Sequence, residues 1–203
     1  TPKVWNWQQI DDFISLAQKH DLQVRLHGPI SPQASKWAKE DYRTPAELNQ
    51  IMTEFATAFA MRFNNEPTIK WMDVVNETIL PNGKWFGPKK GTDKWENPWL
   101  KMGLDENGYP LYILKAFEIA TKHATNIKLV YNQNAGMQTE MWNKLKETIL
   151  YIRSKGYRVD GIGWQAHIGL SPTTEALKEN TDVALKKLSK LIDWAHQNDL
   201  EFH

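Results

Sequence analysis

The chain has 203 residues, 41% of them hydrophobic and 24% charged, enough to enclose one sizeable core. Lys and Arg number 25 against 24 for Asp and Glu, so a net charge of +1 gives no field to steer nucleic acid or an anionic membrane, and neither is expected as a partner. The absence of cysteine excludes disulfides, thiolate metal sites and a thiolate nucleophile, and no run approaches the roughly 18 apolar residues of a membrane span.

The opening "TPKVWNWQQI" shows neither a basic leader nor a small-residue cleavage site. "IDDFISLAQKHD" then sets Ile10, Phe13, Ile14 and Ala17 at helical spacing, and "LQVRLHG" follows as a short β-rich run ending at Gly28. The next helix, "TPAELNQIMTEFATAFAMRFNN", has Thr44 as N-cap, Pro45 at its first position and Glu47 three residues after the cap, a capping box. Leu48, Ile51, Met52, Phe55 and Phe59 form its apolar face. The strand "TIKWMDVVNE" leads into a long irregular stretch, Leu80 to Gly108, and Pro110 introduces the helix "YILKAFEIATKHA". After it come the strand "NIKLVYNQN", the helix "TEMWNKLKETILYIRSKG", the strand "RVDGIGWQAHI", the helix "DVALKKLSKLIDWAHQND" and a last strand beginning "LEFH".

Alternation of strands and helices implies parallel strands joined by right-handed helical crossovers, either as a (β/α) barrel or as an open doubly wound sheet. No strand is followed by G-x-G-x-x-G or G-x-x-x-x-G-K, so the nucleotide-binding open sheet lacks its fingerprint and the barrel is preferred. No linker divides the chain, and residues 1–203 read as a single unit. Ten tryptophans include several in the irregular "NGKWFGPKKGTDKWENPWLKMG". Aromatic faces in loops suit flat ligands such as sugar rings, or else they pin the loop to the core.

In parallel α/β folds ligands sit beyond the carboxyl ends of the strands. The residues there are polar in each case: Arg25 and His27, Asn76 and Glu77, Tyr131 and Asn132, Gln165 and His167, with His203 a further candidate. Glu77 is the leading catalytic candidate, because a β-run gains nothing in packing by ending on a carboxylate. Asp73, on the face opposite Val74, is expected to serve a helix–sheet contact. No H-x-H or H-E-x-x-H occurs, so no metal or other cofactor is expected. His20, His123 and His196 fall near helix carboxyl ends, where a partly cationic ring meets the helix dipole.

"WMDVVNETI", "LVYNQN" and "GIGWQAHI" together resemble glycoside hydrolase family ten, the retaining endo-β-1,4-xylanases, in the motifs of the fourth, fifth and sixth barrel strands. The resemblance runs over essentially the whole chain and implies a (β/α)8 TIM barrel and hydrolysis of β-1,4-xylan. It makes Glu77 the general acid/base and Asn76 the amide on the sugar beside the scissile bond. It places Gln165 and His167 at the nucleophile and the same sugar, with Tyr131, Asn132, His27 and Trp37 also on substrate. In "LHGPISPQASKW", Ser31 and Pro32 stand roughly where the family has a Trp and a second His.

The same comparison implies a fragment with about five of eight βα units, since a whole barrel takes about 250 residues. The first two strands and the last are unmatched, and the family's nucleophilic Glu is expected just beyond His203. Such a piece would expose two sheet edges open to self-association, and would be weakly active or inactive by itself. Xylan or xylo-oligosaccharides are the implied partners, and a secreted location follows from the resemblance alone. The alternatives are a non-catalytic carbohydrate-binding protein of the same fold and, more distantly, a metal-dependent barrel hydrolase.

Overall fold

A computed structural model describes residues 5–32, 43–88, 96–134, 136–167 and 175–203 of the chain. Its elements in order are α1 (Gln8–Lys19), β1 (Val24–Leu26), α2 (Pro45–Phe63), β2 (Ile69–Asn76), α3 (Leu111–His123), β3 (Lys128–Gln133), α4 (Thr139–Ser154), β4 (Gly161–Trp164), α5 (Glu175–Gln197) and β5 (Glu201–Phe202). The strands form one parallel sheet in the order β1-β2-β3-β4-β5. Each strand neighbours the next in sequence, which is the topology of an arc of a (β/α) barrel, as the alternation predicts. No helix among the described residues is long and apolar enough to cross a membrane.

The strands and helices fall in the expected order, with β4 confined to Gly161–Trp164 of the expected "RVDGIGWQAHI" and two further differences in the helices. Helix α5 begins at Glu175, seven residues ahead of the expected start at Asp182, because Glu175, Ala176 and Leu177 are good helix formers that extend the apolar-periodic segment backwards. In α1, Ile14 and Ala17 are buried and Ile10 packs partly, but Phe13 is exposed: only one side of this helix meets the sheet among the described residues. Helix α2 starts as the capping box requires. The Glu47 N–H donates to Thr44 Oγ1, and the Thr44 N–H donates to Glu47 Oε2 at 2.8 Å. Its Leu48, Met52 and Phe59 are buried as expected.

The core lies between the sheet and its helices. Met72 and Val74 of β2 meet Ala56 and Ala60 of α2 and Ala116 and Ala120 of α3, small residues that let the helices approach closely. The tryptophans of the long loop act mainly as pins. Trp99, in a single 3₁₀ turn over Pro98–Met102, is buried, and Trp85 donates its indole N–H to the Gly108 carbonyl at 3.0 Å and lies edge-on to Tyr109. Trp95 lies outside the described residues.

The pairing of β2 with β3 carries an irregularity that matters for the site. Asp73 pairs with Val130 and Val75 with Tyr131, so Val74 is an extra residue in β2. Strict alternation from Asp73 would turn Asn76 towards the helices. The bulge resets the phase, so Asp73 and Asn76 both face the concave side.

Replacing Thr44 with Ala removes one half of the capping box. A loss of about 0.5–2 kcal/mol in unfolding free energy is expected, measured by chemical denaturation.

Candidate active site

At the carboxyl ends of β1 to β4 the concave face carries one continuous polar network. It starts at Asp73, a carboxylate only 1% exposed. A charge that deep must be paired. Arg25 of β1 reaches it with Nε at 2.7 Å and Nη2 at 2.6 Å from Oδ1, and His27 Nδ1 lies 2.8 Å from Oδ2. Asp73 is therefore a correction to the sequence reading: it faces the concave side and not a helix, for the reason the bulge supplies.

Arg25 also donates from Nη2 to Asn132 Oδ1 at 3.0 Å. Asn132 Nδ2 donates to Asn76 Oδ1 at 2.9 Å, and Gln165 Nε2 donates to the same oxygen at 2.7 Å. With two donors on its oxygen, Asn76 keeps its NH2 group as the remaining hydrogen-bonding capacity. Gln165 Nε2 also donates to Glu77 Oε1 at 2.9 Å, and its own Oε1 lies 3.0 Å from His167 Nε2. Residues on β1 to β3 and just after β4 thus meet around one carboxylate.

Glu77 sits in the left-handed backbone region at φ +52°, which is uncommon for a residue with a Cβ and typical of functional turns. Two neighbours hold it there. The Glu77 N–H donates to the Asn132 carbonyl at 3.1 Å. The Gln133 side chain then behaves like a strand partner for the following segment, accepting from the Thr78 N–H at 3.1 Å and donating to the Ile79 carbonyl at 2.8 Å. At the opposite side of Asn76, Gly28 has φ +41°, and a Cβ added there would stand 3.1 Å from the Asn76 Cβ. Glycine meets both requirements.

Of the residues expected at the site, the structure brings together His27, Asn76, Glu77, Asn132, Gln165 and His167. Trp37 lies outside the described residues. Tyr131 is a correction. Its side chain is wholly enclosed on the helix side of the sheet, beside Phe117, with its hydroxyl on Thr78 Oγ1. Burial pushes its phenol well above the ordinary range, so it stays neutral and out of reach of a ligand. Adjacent strand residues face opposite ways, and Asn132 takes the concave side. His203 also falls elsewhere: it joins Glu201, whose Oε2 accepts from Trp71 Nε1 at 2.8 Å, near the amino ends of the strands. Two residues go beyond what the sequence assigns: Arg25, as the partner of Asp73, and Gln133, as the support of the turn after Glu77. A buried acid in the same strand as Asn76 and Glu77 was the available signal for Arg25, and the Q-x-N run offered little for Gln133. Among the described residues no cluster of three metal-ligating side chains occurs.

The hydrogen bond that the His27 ring donates to Asp73 raises the His27 pKa above its ordinary 6.5, against desolvation and the nearby Arg25 charge. A raised folded-state value means that protonated His27 stabilises the fold fully below the unfolded value and loses that contribution as pH rises through the folded value. An NMR titration of the His27 ring should give a midpoint above 6.5, and Asp73→Asn should lower it. Tyr131→Phe leaves Thr78 Oγ1 without its buried partner, and should destabilise by about 1–3 kcal/mol in denaturation while leaving the His27 midpoint unchanged.

Comparison with known proteins gives the family and the fold. The chain is 27% identical over 205 residues to an endo-1,4-beta-xylanase A of Thermoanaerobacterium saccharolyticum, covering 92% of this chain and 16% of that protein. It is 28% identical over 167 residues to an endo-1,4-beta-xylanase A of Humicola insolens, covering 81% and 40%. The structure of a GH10 endoxylanase from a sugarcane soil metagenome superposes with a TM-score of 0.73 at 22% identity, over 99% of this chain and 53% of that one, and shares its fold. The chain therefore spans less than half the length of these curated relatives. The profile of glycosyl hydrolase family 10 matches residues 1–199, nearly the whole chain, and this protein belongs to that family.

Proposed function

We propose that these residues form the acid/base side of an endo-1,4-β-xylanase that cleaves β-1,4-xylan by retaining double displacement. The observation that carries this is the placement of Glu77: one carboxylate at the strand ends, fixed by the Gln165 N–H and set beside an Asn76 amide whose oxygen is already engaged. A glycosidic oxygen leaves poorly unless it is protonated. Glu77 gives that oxygen its proton as the C1–O bond breaks, while a second carboxylate attacks C1 and forms a glycosyl ester. Water then attacks C1, Glu77 takes the water's proton, and the sugar leaves with its configuration retained. The Asn76 NH2 group contacts the hydroxyl of the sugar at the cleaved bond. His27, Asn132, Gln165, His167 and Trp37 complete the substrate-binding set, and the attacking carboxylate is expected just beyond His203.

Relatives named as xylanases support this reading, and so does the family. It carries with it action outside the cell on plant cell-wall polymers. In the full-length protein, Glu77→Gln should cut release of reducing sugar from xylan by about 100-fold or more. An aryl xyloside whose leaving group needs no proton should lose less in its first step. Retention of more than a few per cent of xylan hydrolysis removes Glu77 from the role.

β1 and β5 are paired on one side only among the described residues. The 203-residue chain taken by itself should therefore associate through these edges in analytical ultracentrifugation, and a monodisperse monomer would contradict it.

A further inference from the structure

We infer that Arg25 is a positioning residue that sets the polarity of the amide relay leading to Glu77, and that Gly163 is glycine in order to let that arginine cross the concave face. The inference rests on the reading of Asn76 and Glu77 as the sugar-contacting pair and assigns them their control.

The geometry is that of a strut. Arg25 leaves β1, pairs with Asp73 on β2, reaches Asn132 on β3 and ends against β4 at Gly163. A Cβ built on Gly163 would collide with both Arg25 Nη2 and Asn132 Oδ1, and it would lie 3.1 Å from Asn132 Cγ. Both polar atoms are fixed by hydrogen bonds, so neither can step aside without breaking one. The neighbouring Gly161 faces a milder constraint, with its nearest contacts at 3.1 Å and beyond on β5.

The chemistry follows from what each group can donate or accept. A primary amide offers both, and by itself can sit either way round. Guanidinium offers only donors. Because Arg25 donates to Asn132 Oδ1, Asn132 must present its NH2 group to Asn76. Asn76 must then turn its oxygen inward, where Gln165 also donates to it, and its NH2 group outward. Gln165 in turn has its NH2 group towards Glu77 and its oxygen towards His167. The relay is therefore fixed at both ends: Arg25, a donor-only side chain locked by a buried carboxylate, sets Asn132, and the acceptor Glu77 holds the Gln165 NH2 group. Without Arg25, Asn132 can reverse, which takes one of the two donors off the Asn76 oxygen and leaves only the Gln165 N–H to keep the Asn76 N–H turned to the cleft.

Four variants of the full-length protein, Arg25→Lys, Gly163→Ala, Arg25→Met and the last two combined, test this with xylan as substrate. Arg25→Lys keeps a cation beside Asp73 but has no fork to hold Asp73 and Asn132 together. It should unfold at nearly the wild-type temperature, with kcat lowered by about tenfold or more and KM changed much less. Gly163→Ala should lower kcat/KM by a similar factor, about tenfold, yet add no more than about twofold when placed on Arg25→Met, because one of the two atoms it strikes is then gone and the other, Asn132 Oδ1, is no longer held by Arg25 and can give way. The side-chain amide NMR signals of Asn76 and Asn132 should move in Arg25→Lys. Full activity of Arg25→Lys, additive effects of the Gly163 and Arg25 changes, or unmoved amide signals would each overturn the inference. If the unsubstituted protein fails to cleave xylan, the functional reading falls instead, and the amide signals still decide the polarity of the relay.

Discussion

The site depends on a single electrostatic constraint, the carboxylate of Asp73 shut into the concave face of the sheet. A bare charge there would be prohibitively destabilising, and removal of a partner from such a pair typically costs about 3–5 kcal/mol. Arg25 of β1 and His27 just after it satisfy it from one strand away. In meeting that requirement Arg25 is immobilised, and its Nη2 group also donates to Asn132. The organisation of the mouth therefore begins with a neutralisation that any folded chain with Asp73 in this position has to achieve.

The second constraint is conformational. Glu77 occupies a left-handed backbone position outside glycine's usual domain, and it does so because β3 supplies two kinds of support: the Asn132 carbonyl to its N–H, and the Gln133 side chain to the segment that follows. Asn132 and Gln133 are neighbours on one strand and face opposite sides of the sheet. Asn132 joins the polar relay while Gln133 stabilises the turn from the helix side. Strain at Glu77 is thus carried by a parallel strand of the sheet.

The long insertion between β2 and α3 shows why loop aromatics are ambiguous in a sequence. Trp85 and Trp99 looked equally suited to stacking on a ligand or to anchoring the chain. Their indoles pack inward, and Lys144 of α4 lies over the Trp85 and Tyr109 rings at 5.1 and 4.9 Å. Ring stacking between Tyr109 and Tyr151, at 4.0 Å between centroids, ties the same loop to α4. An aromatic ring gains more from a dry, polarised neighbour than from water, whichever side of the fold provides it.

The linear sequence was sufficient for the alternation of strands and helices, for the capping box at Thr44, and for the polar ends of the strands, because each of these is governed by spacing of 2 or 3.6 residues or by a cap three residues away. It also sufficed for Glu77 and Asn76 as a pair, since a run of apolar residues that stops on an amide and a carboxylate is legible without a partner. The tertiary structure alone decided which way each side chain turns. One extra residue in β2 reversed the phase between Asp73 and Asn76, and the opposite parity on β3 sent Tyr131 to the core and Asn132 to the mouth. A bulge is defined by the strand opposite, and the polarity of an amide by whatever faces it across the sheet, so neither can be encoded by neighbours in the chain.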